Sequence, residues 1–146
     1  MPVYGKKGGV WNTATVYVKK AGNWSPAALY VRKAGVWSPA GVPLTVSLDT
    51  GSCTAFLTAS SGAHTLTTNN VTATPAGGTG PYTYAWTYYS GDVGHLSATA
   101  PTSATTAFTS VNHPTNDYAA YWLLTVTDSL GATATALVSV ETDCEP

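Results

Sequence analysis

Residues 81–89 read Pro81-Tyr82-Thr83-Tyr84-Ala85-Trp86-Thr87-Tyr88-Tyr89. Side chains alternate across a β-strand with a period of two, so this run predicts a half-buried strand over 82–89 that turns Tyr84, Trp86 and Tyr88 to one side. The same period returns in Trp122, Leu124 and Val126 within a strand expected over 119–127, and in Ala134, Ala136, Val138 and Val140 within one over 132–141. No window of about 11 residues carries apolar positions at helical spacing. The fold class expected is all-β, with Trp86 and Trp122 at the centre of a core that Tyr84, Leu124 and Val126 extend.

Further strands are expected over 44–48, 53–58, 69–74 and, in broken form, 97–109, each bounded by clusters of Gly, Pro, Asn and Ser. Short strands at this spacing are the pattern of a β-sandwich, here a domain over 44–146.

Two segments carry a resemblance. Ala73-Thr74-Pro75-Ala76-Gly77-Gly78-Thr79-Gly80-Pro81-Tyr82-Thr83-Tyr84-Ala85-Trp86-Thr87 and, later, Leu124-Thr125-Val126-Thr127-Asp128-Ser129-Leu130-Gly131-Ala132-Thr133-Ala134 are similar to the bacterial and phage Ig-like domains of the PKD type. In that family the Gly-Gly-x-Gly-Pro-Tyr segment turns into the central tryptophan-bearing strand, and Val-Thr-Asp-x-x-Gly is the hairpin joining the last two strands. The resemblance implies an Ig-like sandwich and says little about activity. The chain departs from the family pattern after the tryptophan strand, where Thr87-Tyr88-Tyr89-Ser90-Gly91-Asp92 replaces an acidic Gly-Asp-Gly loop.

Upstream of Pro43 the grammar changes. A 13-residue unit is written three times without insertion: Val3 to Thr15, Val16 to Ala28 and Leu29 to Gly41, with tyrosine (Tyr4, Tyr17, Tyr30), a basic pair, glycine (Gly9, Gly22, Gly35) and tryptophan (Trp11, Trp24, Trp37) at constant phases. A fixed period marks one supersecondary unit repeated. Each copy reads as a β-hairpin: Val16-Tyr17-Val18-Lys19 runs into Lys20-Ala21-Gly22 and returns through Asn23-Trp24-Ser25. A three-residue loop of this kind needs a left-handed residue at its last position, so positive φ is expected at Gly9, Gly22 and Gly35. Pro26 and Pro39 should end the return strands, since proline brings no donor to the ladder. Residues 1–43 are thus expected to be a triple hairpin module, in which Tyr4, Trp11, Tyr17, Trp24, Tyr30 and Trp37 supply an assembly interface. A module of about 40 residues without disulfides or metal needs a partner to hold its order.

The net charge of −1 conceals a partition. All six basic residues (Lys6, Lys7, Lys19, Lys20, Arg32, Lys33) precede Pro43, and all seven acidic ones (Asp49, Asp92, Asp117, Asp128, Glu141, Asp143, Glu145) follow it. Either the lysines blunt exposed strand edges, or the two modules have different partners or attract one another end to end. Six dispersed cations form no dense basic patch, so nucleic acid is not an expected partner.

No motif for catalysis is present, and no enzyme activity is expected. The glycines at 77, 78 and 80 precede a strand and not a helix, which removes a phosphate-cradling loop. His64, His95 and His113 are scattered through expected loops, and Asp92, Asp117 and Asp128 lack the Asp-x-Asp spacing of a calcium loop, so neither metal nor cofactor is expected. Asp128 is expected to cap its own turn. Cys53 and Cys144 are read as free thiols by default; a bridge formed late would close a loop of about 90 residues, nominally worth about 4 to 5 kcal/mol.

The opening Met1-Pro2-Val3-Tyr4 carries no basic and apolar leader, which predicts synthesis in a host cytoplasm without a signal peptide. No apolar run approaches the ~18 residues of a membrane span, so no membrane insertion is expected. The repeats resemble N-terminal segments of phage tail and fibre-associated proteins in which a Val-Tyr-Val-Lys-x-x-Gly-x-Trp unit recurs. The resemblance implies a non-enzymatic virion component of tail tip, baseplate or fibre. Its repeats would bind other virion proteins and its own copies, and its sandwich would serve as a spacer or weak adhesin for a host-surface glycan. Capsid decoration, and a carbohydrate-binding module using the repeat aromatics, are the alternatives.

Overall fold

Tyr17–Lys20 (β1) pairs antiparallel with Asn23–Pro26 (β2), and Tyr30–Lys33 (β3) with Val36–Pro39 (β4), so each of these two copies of the repeat folds back on itself. A computed structural model of the protein describes residues 17–20, 22–26, 30–33, 36–39 and 42–146. The chain divides into two units, Met1–Gly41 and Val42–Pro146. Both return strands end at a proline. Gly22 has φ +89°, the left-handed conformation expected of it. The loop is shorter than expected, however. Lys20 stays in the ladder opposite Asn23 and Lys33 opposite Val36, leaving two residues between strands where three were expected. Two-residue loops with a left-handed residue match the twist of the flanking strands, and so let the last lysine pair. Tyr4, Gly9, Trp11 and Gly35, with the side chains of Tyr17, Trp24, Tyr30 and Trp37, lie outside the described residues.

The second unit is a β-sandwich, and no helix occurs among the described residues. Its strands are β5 (Thr45–Leu48), β6 (Ser52–Thr58), β7 (His64–Thr67), β8 (Val71–Ala76), β9 (Thr83–Gly91), β10 (Ser97–Ala98), β11 (Thr105–Thr106), β12 (Phe108–Asn112), β13 (Asn116–Thr127) and β14 (Thr133–Glu145). One layer is ordered β6-β14-β13-β9; β5, β8 and β11 form one short sheet opposite it, and β7, β12 and β10 another. β6 runs parallel to β14, whereas β13 is antiparallel to both of its neighbours. One local expectation is corrected: His64 opens a strand and not a loop. The stretch over 97–109 is broken as expected, into β10, β11 and the start of β12, with the turn at Pro101 to Ser103 between the first two.

The register explains the core. Trp86, Leu124 and Ala136 stand in one row across β9, β13 and β14, with Tyr88, Trp122 and Val138 in the next and Tyr84, Val126 and Ala134 on the other side. Trp86, Trp122, Leu124 and Val126 are buried, and Tyr84 packs partly buried against them. Tyr88 shares their face but lies at the rim, edge-on to Trp122 at 6.4 Å. The ring between the two tryptophans belongs to Phe108 of β12, fully buried, 6.1 Å from Trp86 and 5.1 Å from Trp122. Phe108 rather than a tryptophan pair is the centre. Trp86 donates its Nε1–H to the carbonyl of Ser103 at 2.9 Å, while Trp122 Nε1 is buried without a partner.

Cys53 and Cys144 are both buried and both free. Cys53 sits opposite Val140, and Cys144 opposite Leu57. Four residues of strand separate them, about 13 Å at roughly 3.3 Å per residue, well beyond the reach of a disulfide. Burial, with the Asp49 charge adding to it, pushes the Cys53 thiol up to about 11.

Candidate binding surface

Alternation that buries one face of the β6-β14-β13-β9 layer leaves the other face uncovered within this unit, and cross-strand register arranges it in rows. At one end Thr83, Thr127 and Thr133 align, followed by Ala85, Thr125 and Thr135. β-branched threonines suit such a pleated, half-solvated surface. Midway, Leu123 faces Leu137, and Tyr121 stands between Ser90 and Ser139. Beyond them Ala119, Glu141 and Thr54 align, then Asp117, Asp143 and Phe56, and finally Glu145 beside Thr58. Leu137 is 43 % exposed, Tyr121 49 % and Phe56 63 %. The face therefore passes from threonine through an apolar middle to a rim of four carboxylates.

Those carboxylates act on one another. The Asp117 carboxyl directly opposite across the strands, with burial and the charges of Glu145 and Glu141 adding to it, raises the Asp143 carboxyl to about 6. Its Oδ1 is buried without a partner. A like charge placed directly opposite in the sheet opposes ionisation of Asp143. Among the described residues no group of three or more His, Cys, Asp or Glu side chains is placed to hold a metal ion.

The other acids are occupied structurally. Asp92 accepts from the Ala119 amide at 2.8 Å where β9 departs from β13, and Asp49 accepts from the Thr72 amide at 2.8 Å. Asp128 closes the β13–β14 turn, taking the amides of Leu130 and Ala132 on Oδ1 and of Thr79 on Oδ2 at 2.8 to 2.9 Å. Burial alone would raise that carboxyl, but donation from Ala132, Thr79, Leu130 and Gly131 holds it below its usual value. The three aspartates weighed for calcium thus sit at separate tasks, and Asp128 lies at the opposite end of β13 from Asp117.

A concavity of about 300 Å³ opens beside β10 and β12, lined by Thr65, His95, Ser97, Thr109 and Ser110 among others. The His95 ring stacks on Tyr118 with centroids 4.1 Å apart. Beneath it Ser110 donates to Thr142 at 2.8 Å, and the buried Asn112 amide to the carbonyls of Asn116 and Thr142 at 2.8 and 3.1 Å. The sequence offered no signal for this polar network, because Thr142 lies 32 residues from Ser110 and 30 from Asn112 along the chain.

No family model matches the chain, and no curated protein does. Among solved structures, the chain is similar to the solution structure of the PKD domain (329–428) from human KIAA0319, at 17 % identity and a TM-score of 0.40, covering 71 % of this chain and 84 % of that one.

Proposed function

We propose that this chain is a non-enzymatic structural protein of a phage particle, in the tail tip, baseplate or fibre, anchored through its N-terminal repeats and carrying the Ig-like sandwich outward as a spacer or weak adhesin. One observation supports the anchor above others. The two described repeat hairpins are separate two-stranded sheets of four-residue strands, and an isolated two-stranded hairpin is marginal in water. A periodic set of such hairpins gains order by packing on something else, and tryptophan and tyrosine are the residues that supply most energy to such contacts. The sandwich has its own buried core and needs no such help.

The full chain with Trp24→Ala and Trp37→Ala tests the reading. Particles assembled in its presence should lack the protein, as judged by mass spectrometry of purified particles, while the sandwich retains its native thermal transition. Undiminished incorporation would overturn the anchor, and incorporation with lost glycan binding would favour the carbohydrate-binding alternative. Imaging of intact particles separates a tail position from capsid decoration.

A further inference from the structure

The acidic rim of the open sheet face has no cation of its own unit to answer it. Asp117, Glu141, Asp143 and Glu145 stand on adjoining rows of β13 and β14, and residues 42–146 contain neither lysine nor arginine. Next to the rim the face is apolar and exposed, through Phe56, Tyr121 and Leu137. An apolar patch bordered by charge of one sign is the make-up of an interface for a partner of opposite sign. The matching sign is present in this same sequence, since all six cations fall between Lys6 and Lys33.

The chain enters the sandwich away from this rim. The chain joins the sandwich at the Asp128 end: the carbonyl of Val42 accepts from the Gly78 amide at 2.8 Å, and the adjacent Thr79 amide donates to Asp128. The acidic rim lies at the other end of β13, a strand of 12 residues, so about 35 Å separates the two at roughly 3.3 Å per residue. A basic segment leaving one pole and an acidic face at the other complement each other when copies are placed head to tail.

We propose that the acidic end of this sheet face is the docking site for the basic N-terminal repeat of a second copy of the chain. The proposal rests on reading the repeats as an assembly module, and it names the surface that receives them. Contacts of this head-to-tail kind are heterologous, so they continue into short filaments or close into rings. Part of the attraction is Coulombic and is screened as the Debye length falls from about 10 Å at 0.1 M salt to about 3 Å at 1 M.

Sedimentation of three full-length proteins decides the matter: the wild type, an acid-neutralised variant (Asp117→Asn, Glu141→Gln, Asp143→Asn, Glu145→Gln) and a base-neutralised variant (Lys19→Gln, Lys20→Gln, Arg32→Gln, Lys33→Gln). The wild type should self-associate with rising concentration, at least about tenfold more weakly in 1 M than in 0.1 M salt. Each variant alone should remain monomeric. An equimolar mixture of the two should form a dimer and stop there, because each variant keeps one intact half of the contact. Circular dichroism of each variant confirms the fold, and salt dependence of the wild type provides a test free of substitutions. Association lost in the base-neutralised variant but kept in the acid-neutralised one would overturn the docking site while leaving the repeats as an assembly module. Association untouched by either would overturn the electrostatic contact altogether, and the alanine variants at Trp24 and Trp37 would then judge the assembly reading by themselves. A wild type that is monomeric at every concentration, its repeats cross-linking to its own sandwich, would show the site to be filled within one chain and overturn the second copy.

Discussion

Phe108 and Asp143 show how much single residues owe to neighbours far along the chain. Phe108 meets both core tryptophans and is wholly enclosed. Truncation of such a ring forfeits its transfer energy and leaves a cavity, so Phe108→Ala should cost about 3 to 5 kcal/mol in urea unfolding, as much as Trp86→Ala. A loss below about 1 kcal/mol would remove Phe108 from the centre. Asp143 titrates in the opposite sense to a salt-bridged carboxylate. Its folded value of about 6 lies above its ordinary 3.8, so the folded chain holds the proton more tightly. Stability from this group is highest below about pH 4 and declines as pH rises to about 6. Asp143→Asn should therefore raise the melting temperature at pH 7, with the gain vanishing near pH 4. A variant less stable than wild type at pH 7 would contradict the cross-strand repulsion. The Cys53 thiol, held high by burial, should resist alkylation at pH 8 until the sandwich unfolds.

At the scale of elements, the junctions of β9 and β13 and of β13 and β14 deserve the closest test. The register slips between Tyr121 and Trp122, and Gly91 lies at the end of that irregular stretch with φ +111°. A Cβ there would strike the carbonyl of Ala119 and stand 2.6 Å from the Cα of Ala120. Gly94, also left-handed, has open space around it. Gly91→Ala should therefore cost more than about 2 kcal/mol, and Gly94→Ala about 1, since only the first adds a backbone clash to the strain. Equal effects would mean that the strand can shift to relieve the contact. The β13–β14 turn depends on an ionised Asp128, whose lowered value means that its contribution is present above its ordinary 3.8 and lost as pH falls through the folded value.

The whole molecule joins a sandwich with its own core to a unit in which, among the described residues, β1 pairs with β2 and β3 with β4. Amides of β13 and β14 should exchange only through global unfolding, whereas those of β1 to β4 should gain protection as protein concentration rises. Full protection of β1 to β4 in a dilute monomer would sink the dependence on a partner. Much of this organisation was legible beforehand. Periodicity of two located the strands around Trp86, Trp122 and Val138 and chose their inward faces, the turn glycine and closing prolines marked the two described hairpins, and Asp128 followed by Gly131 marked a turn. These are local signals, because steric preference and alternation act along one strand or one turn. The central place of Phe108, the gap between Cys53 and Cys144, the gathering of four carboxylates at one rim and the polar network of Asn112 were decided only by the tertiary structure. Each depends on which strand lies beside which and in what register, a long-range outcome of packing the whole core, and no short stretch of chain carries that information.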